Sequence, residues 1–361
     1  MKIGICKGMI LAGCMLLLSG LMLSLFVPPV LAAVPSAAPA TPPFMPFGYG
    51  FSVARPDGTV ARSLGFNWIE VFDPPTSHQP TSVLLRVKLS NADYLDDAHF
   101  RSRVIGLAVN YGANIDAYEI GNEPNLALEW GAPPDAPHYV QMLCLATTLI
   151  HTYRPAALIV SGGLATAGRV IGSVGGHDGN DGNQQDERTY AKEFLIAGGM
   201  SCADYLGYHP LGFRAKYYAA PDIDGGTPES NCGNGLCFRA IEKIHEVMQT
   251  QGFGDREVWA TEVGWIVAAS DFCMNSDPGW SSRIWQVVTP SDQAGNLAGA
   301  FTYARANWPW LRAMFVFNLN FNSAPWYTSC EQMRYYSIAG SPAETALRDL
   351  FSWVYLPLTS R

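Results

Sequence analysis

Charge is scarce in this chain. Only 15% of its 361 residues are Asp, Glu, Lys or Arg. That shortage excludes long disordered or coiled-coil regions. Positive charge is scarcer still. Against 31 Asp and Glu stand 23 Lys and Arg, a formal net charge of −8, and no basic run occurs. Nucleic acid is therefore not an expected partner. Histidine is also rare: among seven His and eight Cys, no His and no second close Cys pair falls at zinc-site spacing. No metal or other cofactor is expected. A glycine-rich nucleotide fingerprint and an internal repeat are both missing. What is present is 48% hydrophobic residues, enough to bury a large core. The ten Trp suit either that core or a ring-shaped neutral ligand.

The N-terminus reads as a targeting segment. Lys2 and Lys7 precede an uncharged stretch from Gly8 to Ala54, and its apolar part runs from Met9 to about Leu31. Ala32-Ala33 then supply small residues for cleavage. Residues 1–33 are read as a secretory signal, whose apolar core is also long enough for an uncleaved membrane anchor. Residues 34–46, rich in Pro and Ala, are read as a linker. Residues 47–361 are read as a single catalytic domain. The protein is expected to be secreted or extracytoplasmic, touching a membrane only through that first segment.

From about residue 47 short apolar runs alternate with helix-like stretches. Candidate strands are Phe47–Ser52, Phe66–Phe72, Val83–Leu89, Ile115–Gly121, Leu158–Gly163, Tyr205–His209, Val258–Val263 and Met314–Leu319. Candidate helices are Asp96–Tyr111, Pro137–Tyr153, Thr189–Gly198, Cys237–Gln251, Ser291–Ala306 and Ala343–Tyr355, with Ser291-Asp292 as capping residues. Alternation of this kind implies a parallel sheet, and eight strands favour a closed (β/α)8 barrel, the TIM-barrel class of α/β fold. Only about nine residues separate strands two and three, so the helix between them is expected to be missing or reduced.

Two of the strand-like runs end on a glutamate. They are Tyr118-Glu119-Ile120-Gly121-Asn122-Glu123-Pro124 and Val258-Trp259-Ala260-Thr261-Glu262-Val263-Gly264-Trp265. A carboxylate at the end of a buried strand is costly unless solvated, paired or used. Glu123 follows strand four and Glu262 ends strand seven. Barrel active sites lie at the C-terminal ends of strands, and these two strands lie across the mouth. Facing carboxyl groups about 5–5.5 Å apart cleave a glycosidic bond with retention: one is acid and then base, the other attacks the anomeric carbon.

At these residues the chain resembles glycoside hydrolase clan A, the 4/7 superfamily of (β/α)8 glycosidases. Asn122-Glu123-Pro124 matches the clan's Asn-Glu-Pro signature, and Thr261-Glu262-Val263-Gly264-Trp265 matches its nucleophile strand. The resemblance covers roughly residues 44–361 and is closest to bacterial family 39-like and cellulase-like members. Gly162-Gly163-Leu164, Tyr208-His209-Pro210 and Asn318-Leu319-Asn320-Phe321 fall where such members carry strand-end residues. The resemblance implies Glu123 as acid/base, Glu262 as nucleophile and Asn122 as partner of the sugar 2-hydroxyl. It departs at Leu211, where many relatives have Tyr, and at Phe317, near where they often carry Trp.

Other candidates stand beside these, each with a plainer alternative. Arg86, a charge inside a buried-looking strand, either supports the nucleophile or snorkels out at a barrel end. His209 either bonds substrate or Glu262, or sits in the core. Trp130, Trp265, Trp326 and Asn320 are candidate substrate contacts; Trp130 follows the acid/base strand, and Trp265 and Trp326 follow strands seven and eight. The Trp residues floor subsites or pack loops. Glu119 is expected in a structural ion pair. Outside the targeting segment six Cys remain, an even number that predicts disulfides in an exported chain. Cys232 and Cys237 share a Gly-rich loop and should bridge. Cys273 and Cys330 lie in loops that neighbour each other on a closed barrel, and Cys144–Cys202 is the remaining pair. Together these readings predict an exported retaining glycoside hydrolase acting on β-linked oligo- or polysaccharides. The alternative is a catalytically inactive carbohydrate-binding barrel.

Overall fold

In the computed structural model, which describes residues 47–95, 97–221, 230 and 232–352, nine short parallel strands form one sheet. The expected signal (1–33) and linker (34–46) lie outside the described residues. The strands are β1 (Gly48–Ser52), β2 (Trp68–Val71), β3 (Ser82–Val87), β4 (Ala117–Ile120), β5 (Leu158–Ser161), β6 (Leu164–Ala165), β7 (Leu206–His209), β8 (Val258–Val263) and β9 (Leu311–Val316). Their order is β5-β4-β3-β2-β1-β9-β8-β7-β6. The eight expected strands become nine because the fifth is split at Gly162-Gly163. Its first half pairs with β4 and its second half with β7. Ser161 N–H donates to Tyr205 O at 3.0 Å and Tyr205 N–H to Ile159 O at 3.2 Å, which links the two ends of the sheet. The result is an α/β barrel with eight strand positions.

No helix lies between β2 and β3, as the short spacing predicts; residues 72–81 cross directly. The longer helices are Asp97–Asn110, Ala136–Tyr153, Glu187–Ile196, Ile241–Thr250, Pro290–Asn307 and Pro342–Ser352. One start differs from the sequence reading. Thr289, not Ser291, caps the helix Pro290–Asn307, its hydroxyl accepting from Asp292 N–H at 3.1 Å. Pro290 then takes the first helical position, where its missing N–H is no loss.

Strand alternation builds the barrel interior in layers. Trp68, Leu84, Ala117, Leu158, Val160, Tyr205, Trp259, Ala313 and Phe315 form a buried apolar cluster. Space for it comes partly from Gly50, where a Cβ would lie 2.1 Å from the Phe315 ring. Two residues further along β2, β3 and β4 the same inward face carries Glu70, Arg86 and Glu119. A charged layer thus rests on an apolar floor, toward the strand ends that hold the two glutamates.

Candidate active site

Local backbone choices aim both glutamates at the mouth. Beyond β4 the chain turns sharply at Gly121 (φ +91°), and Glu123 itself has φ +39°. A left-handed glutamate costs on the order of 1–3 kcal/mol and persists only where its surroundings hold it, a signature that clusters at functional sites. Here Glu123 N–H donates to Gly163 O at 3.0 Å. On β8 the ladder to β9 is irregular between Ala260 and Val263. Such an irregularity re-aims side chains. Thr261 reaches Glu119 inside the barrel, and its neighbour Glu262 also turns inward to Arg86. The split of the fifth strand serves the same end. A Cβ on Gly163 would lie 2.2 Å from His209 Nε2, so only glycine fits between that ring and the strand. Gly163 N–H is then free to donate to Glu119 Oε1 at 2.9 Å.

His209, at the end of β7, is fully buried and faces both glutamates. Its Nδ1 lies 2.9 Å from Glu123 Oε1 and 3.7 Å from Glu262 Oε2. One carboxylate oxygen of Glu123, one of Glu262 and a His209 nitrogen all fall within 4.8 Å of one another. Arg86 closes the other side, its Nη2 2.7 Å from Glu262 Oε1 and 2.5 Å from Glu70 Oε1, its Nε 3.1 Å from Glu119 Oε2. The Phe72 ring lies 5.0 Å from that guanidinium.

The charges are strongly interdependent. Burial drives the Glu262 carboxyl above its ordinary range, against the opposing pull of His209 and Arg86. Burial alone would push His209 down, but the charge of Glu262 and the nearby Glu119 and Glu123 carboxylates raise it to about 10. Burial likewise acts upward on Glu119, and there Arg86 and His209 win, holding it down at about 2. Two carboxylates and an imidazole are a donor set that could hold a divalent cation. Arg86 on Glu262 and the positive charge on His209 oppose one.

Above these groups opens a cavity of about 580 Å³, whose lining includes Phe72, Asn122, Leu211, Arg283, Trp326 and Tyr336 besides Glu123 and Glu262. That volume is typical of a small-molecule site. Asn122 contributes a buried Oδ1 with no hydrogen-bond partner among the described residues. A second cavity of about 360 Å³, between Leu64, Phe66, Arg348 and Phe351, holds no carboxylate.

The structure brings Glu123, Glu262, Asn122, Arg86 and Trp326 to one cavity and places His209 in contact beneath it. Three other expected contacts lie elsewhere. Trp265 is fully buried, its Nε1 donating to Ala215 O at 2.7 Å, and a Cβ on Gly212 would overlap its indole. Trp130 is buried against His138 and Tyr139. Asn320 accepts from Ala54 N–H at 2.9 Å and ties the end of β1 to the loop after β9. Both Trp pack because their loops fold over them. Trp326, 55% exposed, is the indole left at the rim. Trp326→Ala is expected to weaken substrate binding with little change in melting temperature. Trp265→Ala is expected to lose about 3–5 kcal/mol of stability, the scale of a buried large-to-small change. Thermal melts and kinetics on both variants check this.

Sequence reasoning missed Tyr336, Arg283, Tyr327 and Phe72 at this cavity. Tyr336 is buried, which pushes its hydroxyl up to about 12; Arg283 hydrogen-bonds it, and the charges of Glu262 and Glu123 reach it. Tyr336, Arg283 and Tyr327 come from irregular loops, where no periodicity marks which side chain faces the mouth.

All three expected disulfides are formed. Cys144–Cys202, Cys232–Cys237 and Cys273–Cys330 have Cα separations of 4.9, 5.0 and 5.0 Å. The third joins the loop after β8 to the loop after β9, which supply Arg283 and Trp326 to the cavity wall. Three disulfides point to an oxidising, extracytoplasmic setting. No helix among the described residues is long and apolar enough to cross a membrane.

Neither a protein-family model nor a curated protein sequence matches the chain. Solved structures do resemble it. A family 39 glycoside hydrolase from the gut symbiont Bacteroides cellulosilyticus WH2 is 16% identical with a TM-score of 0.53; the match covers 86% of this chain and 64% of that one. A glucosidase from Croceicoccus marinus is 12% identical with a TM-score of 0.56, covering 85% and 68%. A monomeric β-xylosidase from Caulobacter crescentus CB15 is 14% identical with a TM-score of 0.51, covering 87% and 69%. The chain thus spans just under two thirds of the family 39 enzyme's length. The likeness shows the fold: this is the α/β barrel that these glycosidases also adopt.

Proposed function

We propose that the protein is an exported retaining glycoside hydrolase of the clan A type, acting on β-linked glycans. One observation carries this reading: a carboxylate oxygen of Glu123 and one of Glu262 lie within 4.8 Å of each other at the C-terminal mouth of the barrel, too near for an inverting pair. An inverting pair stands about 6.5–9.5 Å apart to admit a water, whereas a retaining pair stands about 5–5.5 Å apart. Glu262 is the nucleophile. It is the more buried of the two, and Arg86 and His209 oppose burial in favour of its charged form. Glu123, with 18% of its side chain exposed, is the acid/base, open to leaving group and water. In the first step Glu262 attacks the anomeric carbon while Glu123 gives its proton to the departing oxygen. In the second Glu123 takes a proton from water, which releases the sugar from Glu262. The orphaned Asn122 Oδ1 is placed to accept from a sugar hydroxyl, and Trp326 to face a sugar ring.

Proton NMR of products tests the reading. Incubation with aryl β-glucosides, β-xylosides and a panel of plant and microbial polysaccharides should release sugar whose first-formed anomer is β. A first-formed α anomer would show inversion. No release from any substrate, with sugar binding retained, would favour a non-catalytic carbohydrate-binding barrel.

A further inference from the structure

Glu70 takes no part in this chemistry, yet it is fully buried in the charged layer. Its Oε2 lies 2.6 Å from Ser52 Oγ, and its Oε1 lies 2.5 Å from Arg86 Nη2. The same Nη2 lies 2.7 Å from Glu262 Oε1. One guanidinium nitrogen is therefore contested by two carboxyl groups, from β2 and from β8. Glu119 does not compete for it. That carboxylate is satisfied by Arg86 Nε, by Gly163 N–H at 2.9 Å and by the Thr261 hydroxyl at 2.7 Å.

The charges do not balance if every group is ionised. Among the described residues, Glu70, Glu119, Glu123 and Glu262 have Arg86 and His209 as their cationic partners. Burying uncompensated charge is expensive, so the least supported acid is the one to stay neutral. His209 lies against Glu119, Glu123 and Glu262, whereas fully buried Glu70 shares its one cation, Arg86, with two of them. Beyond Arg86, Glu70 has Ser52, whose hydroxyl donates to Oε2 and so gives the charged form modest support, but can turn to accept the proton of the neutral acid. Ser52 from β1, Arg86 from β3, Glu119 from β4 and Glu262 from β8 are the groups that face it.

We propose that Glu70 is a positioning residue for the nucleophile, acting through Arg86: as a neutral acid it leaves Nη2 to Glu262, and as a carboxylate it draws that nitrogen away. This rests on the reading of Glu262 as nucleophile. Burial, ahead of the opposing pull of Arg86, raises Glu70 to about 8, which agrees with a neutral form at neutral pH. During turnover Glu262 bonds the anomeric carbon and loses its charge, and the proton on Glu123 leaves with the departing group. No proton moves to or from Glu70. Its Oε1 remains as a contact that keeps Arg86 in place until Glu262 is released.

Glu70→Gln fixes the neutral form with little change of shape. Two measurements decide the matter. The first needs no substrate. A difference infrared spectrum of wild type against Glu70→Gln at neutral pH should show a buried protonated carboxyl band in the wild type alone, and that band should vanish on alkaline titration. A carboxylate band at neutral pH overturns the proposal. The second is covalent trapping by a dinitrophenyl β-glucoside, or its β-xyloside counterpart, bearing fluorine beside the anomeric carbon. Its leaving group needs no proton from Glu123, so the alkaline limb reports on the nucleophile. Wild-type trapping should fall as Glu70 ionises, whereas Glu70→Gln should hold its rate. One pH unit past the wild-type inflection the variant should lead by about tenfold, the factor set by a single titration. Superimposable profiles overturn the proposal. Trapping of neither protein, with the infrared band present, sinks the reading of Glu262 as nucleophile instead. If Glu70→Gln does not fold, Ser52→Ala takes its place. Losing the hydroxyl should move the band's titration and the trapping limb to higher pH together, and a limb that stays put overturns the assignment.

Discussion

Glu262→Ala is expected to abolish turnover, by a factor on the order of 10⁴ or more, the scale of removing one member of a covalent catalytic unit. Azide should then restore release from activated aryl glycosides, with the product configuration inverted. The small anion fills the space left by the carboxylate and attacks the anomeric carbon once, so the second displacement never happens. Glu123→Ala should behave differently. Substrates with poor leaving groups need protonation and should lose most; dinitrophenyl glycosides should form the covalent intermediate nearly as before. Azide added to Glu123→Ala should give a product of retained configuration, because nucleophile and intermediate are intact. Kinetics and product NMR on the two variants read this pattern directly. Equal losses on all substrates and no azide rescue in either variant would sink the assignment of roles.

Much of this site was legible because strand ends are legible. An apolar run that ends on a charge marks both a strand and its functional end, and Glu123 and Glu262 each do so. The paired glycines at Gly162-Gly163 were read as the end of strand five; the structure shows instead a split there, with His209 fitted against Gly163 and a second short strand beyond it. Loop side chains were not legible. Trp265 and Trp326 look alike in sequence, each a few residues beyond a strand. The loop after β7 decides between them, because Gly212 and Ala215 enclose Trp265, while Trp326 stays half-exposed among the described residues. Tyr336 comes from further along the chain still. Glu70 falls within the candidate strand Phe66–Phe72, but its partner on β3 follows from register, which no local pattern fixes. The helix start at Thr289 shows a smaller loss of the same kind. Two capping residues stood close together, and the proline between them favoured the earlier one.

Arg86→Met should cause the largest loss of stability among single changes in the charged layer. The guanidinium touches Glu70, Glu119 and Glu262 at once and is itself only 10% exposed. Methionine fills similar volume but, among the described residues, leaves Glu119 and Glu262 with His209 as their remaining cation and Glu70 with none beside it. Removing one partner of a buried ion pair costs about 3–5 kcal/mol, and here a shared partner is lost. The pH dependence separates charge from packing. In the wild type Glu119 is held down at about 2, below the unfolded value of about 4.3. Its contribution is therefore fully present above the unfolded value and disappears as pH falls through about 2. Without Arg86 the carboxyl loses the largest of the pulls that oppose its burial, so its value rises towards the unfolded one and much of that contribution is gone above it. The gap between wild type and variant should consequently be widest at neutral pH and narrow as the solution is acidified. Chemical denaturation at neutral and mildly acidic pH measures it. A gap that does not change with pH would mean that Arg86 matters for packing alone. Activity should fall with it even where Arg86→Met remains folded, since Glu262 loses a cation that opposes its protonation. Arg86→Lys should recover only part of either loss, because one ammonium cannot reach three carboxyl groups from the geometry of a fork.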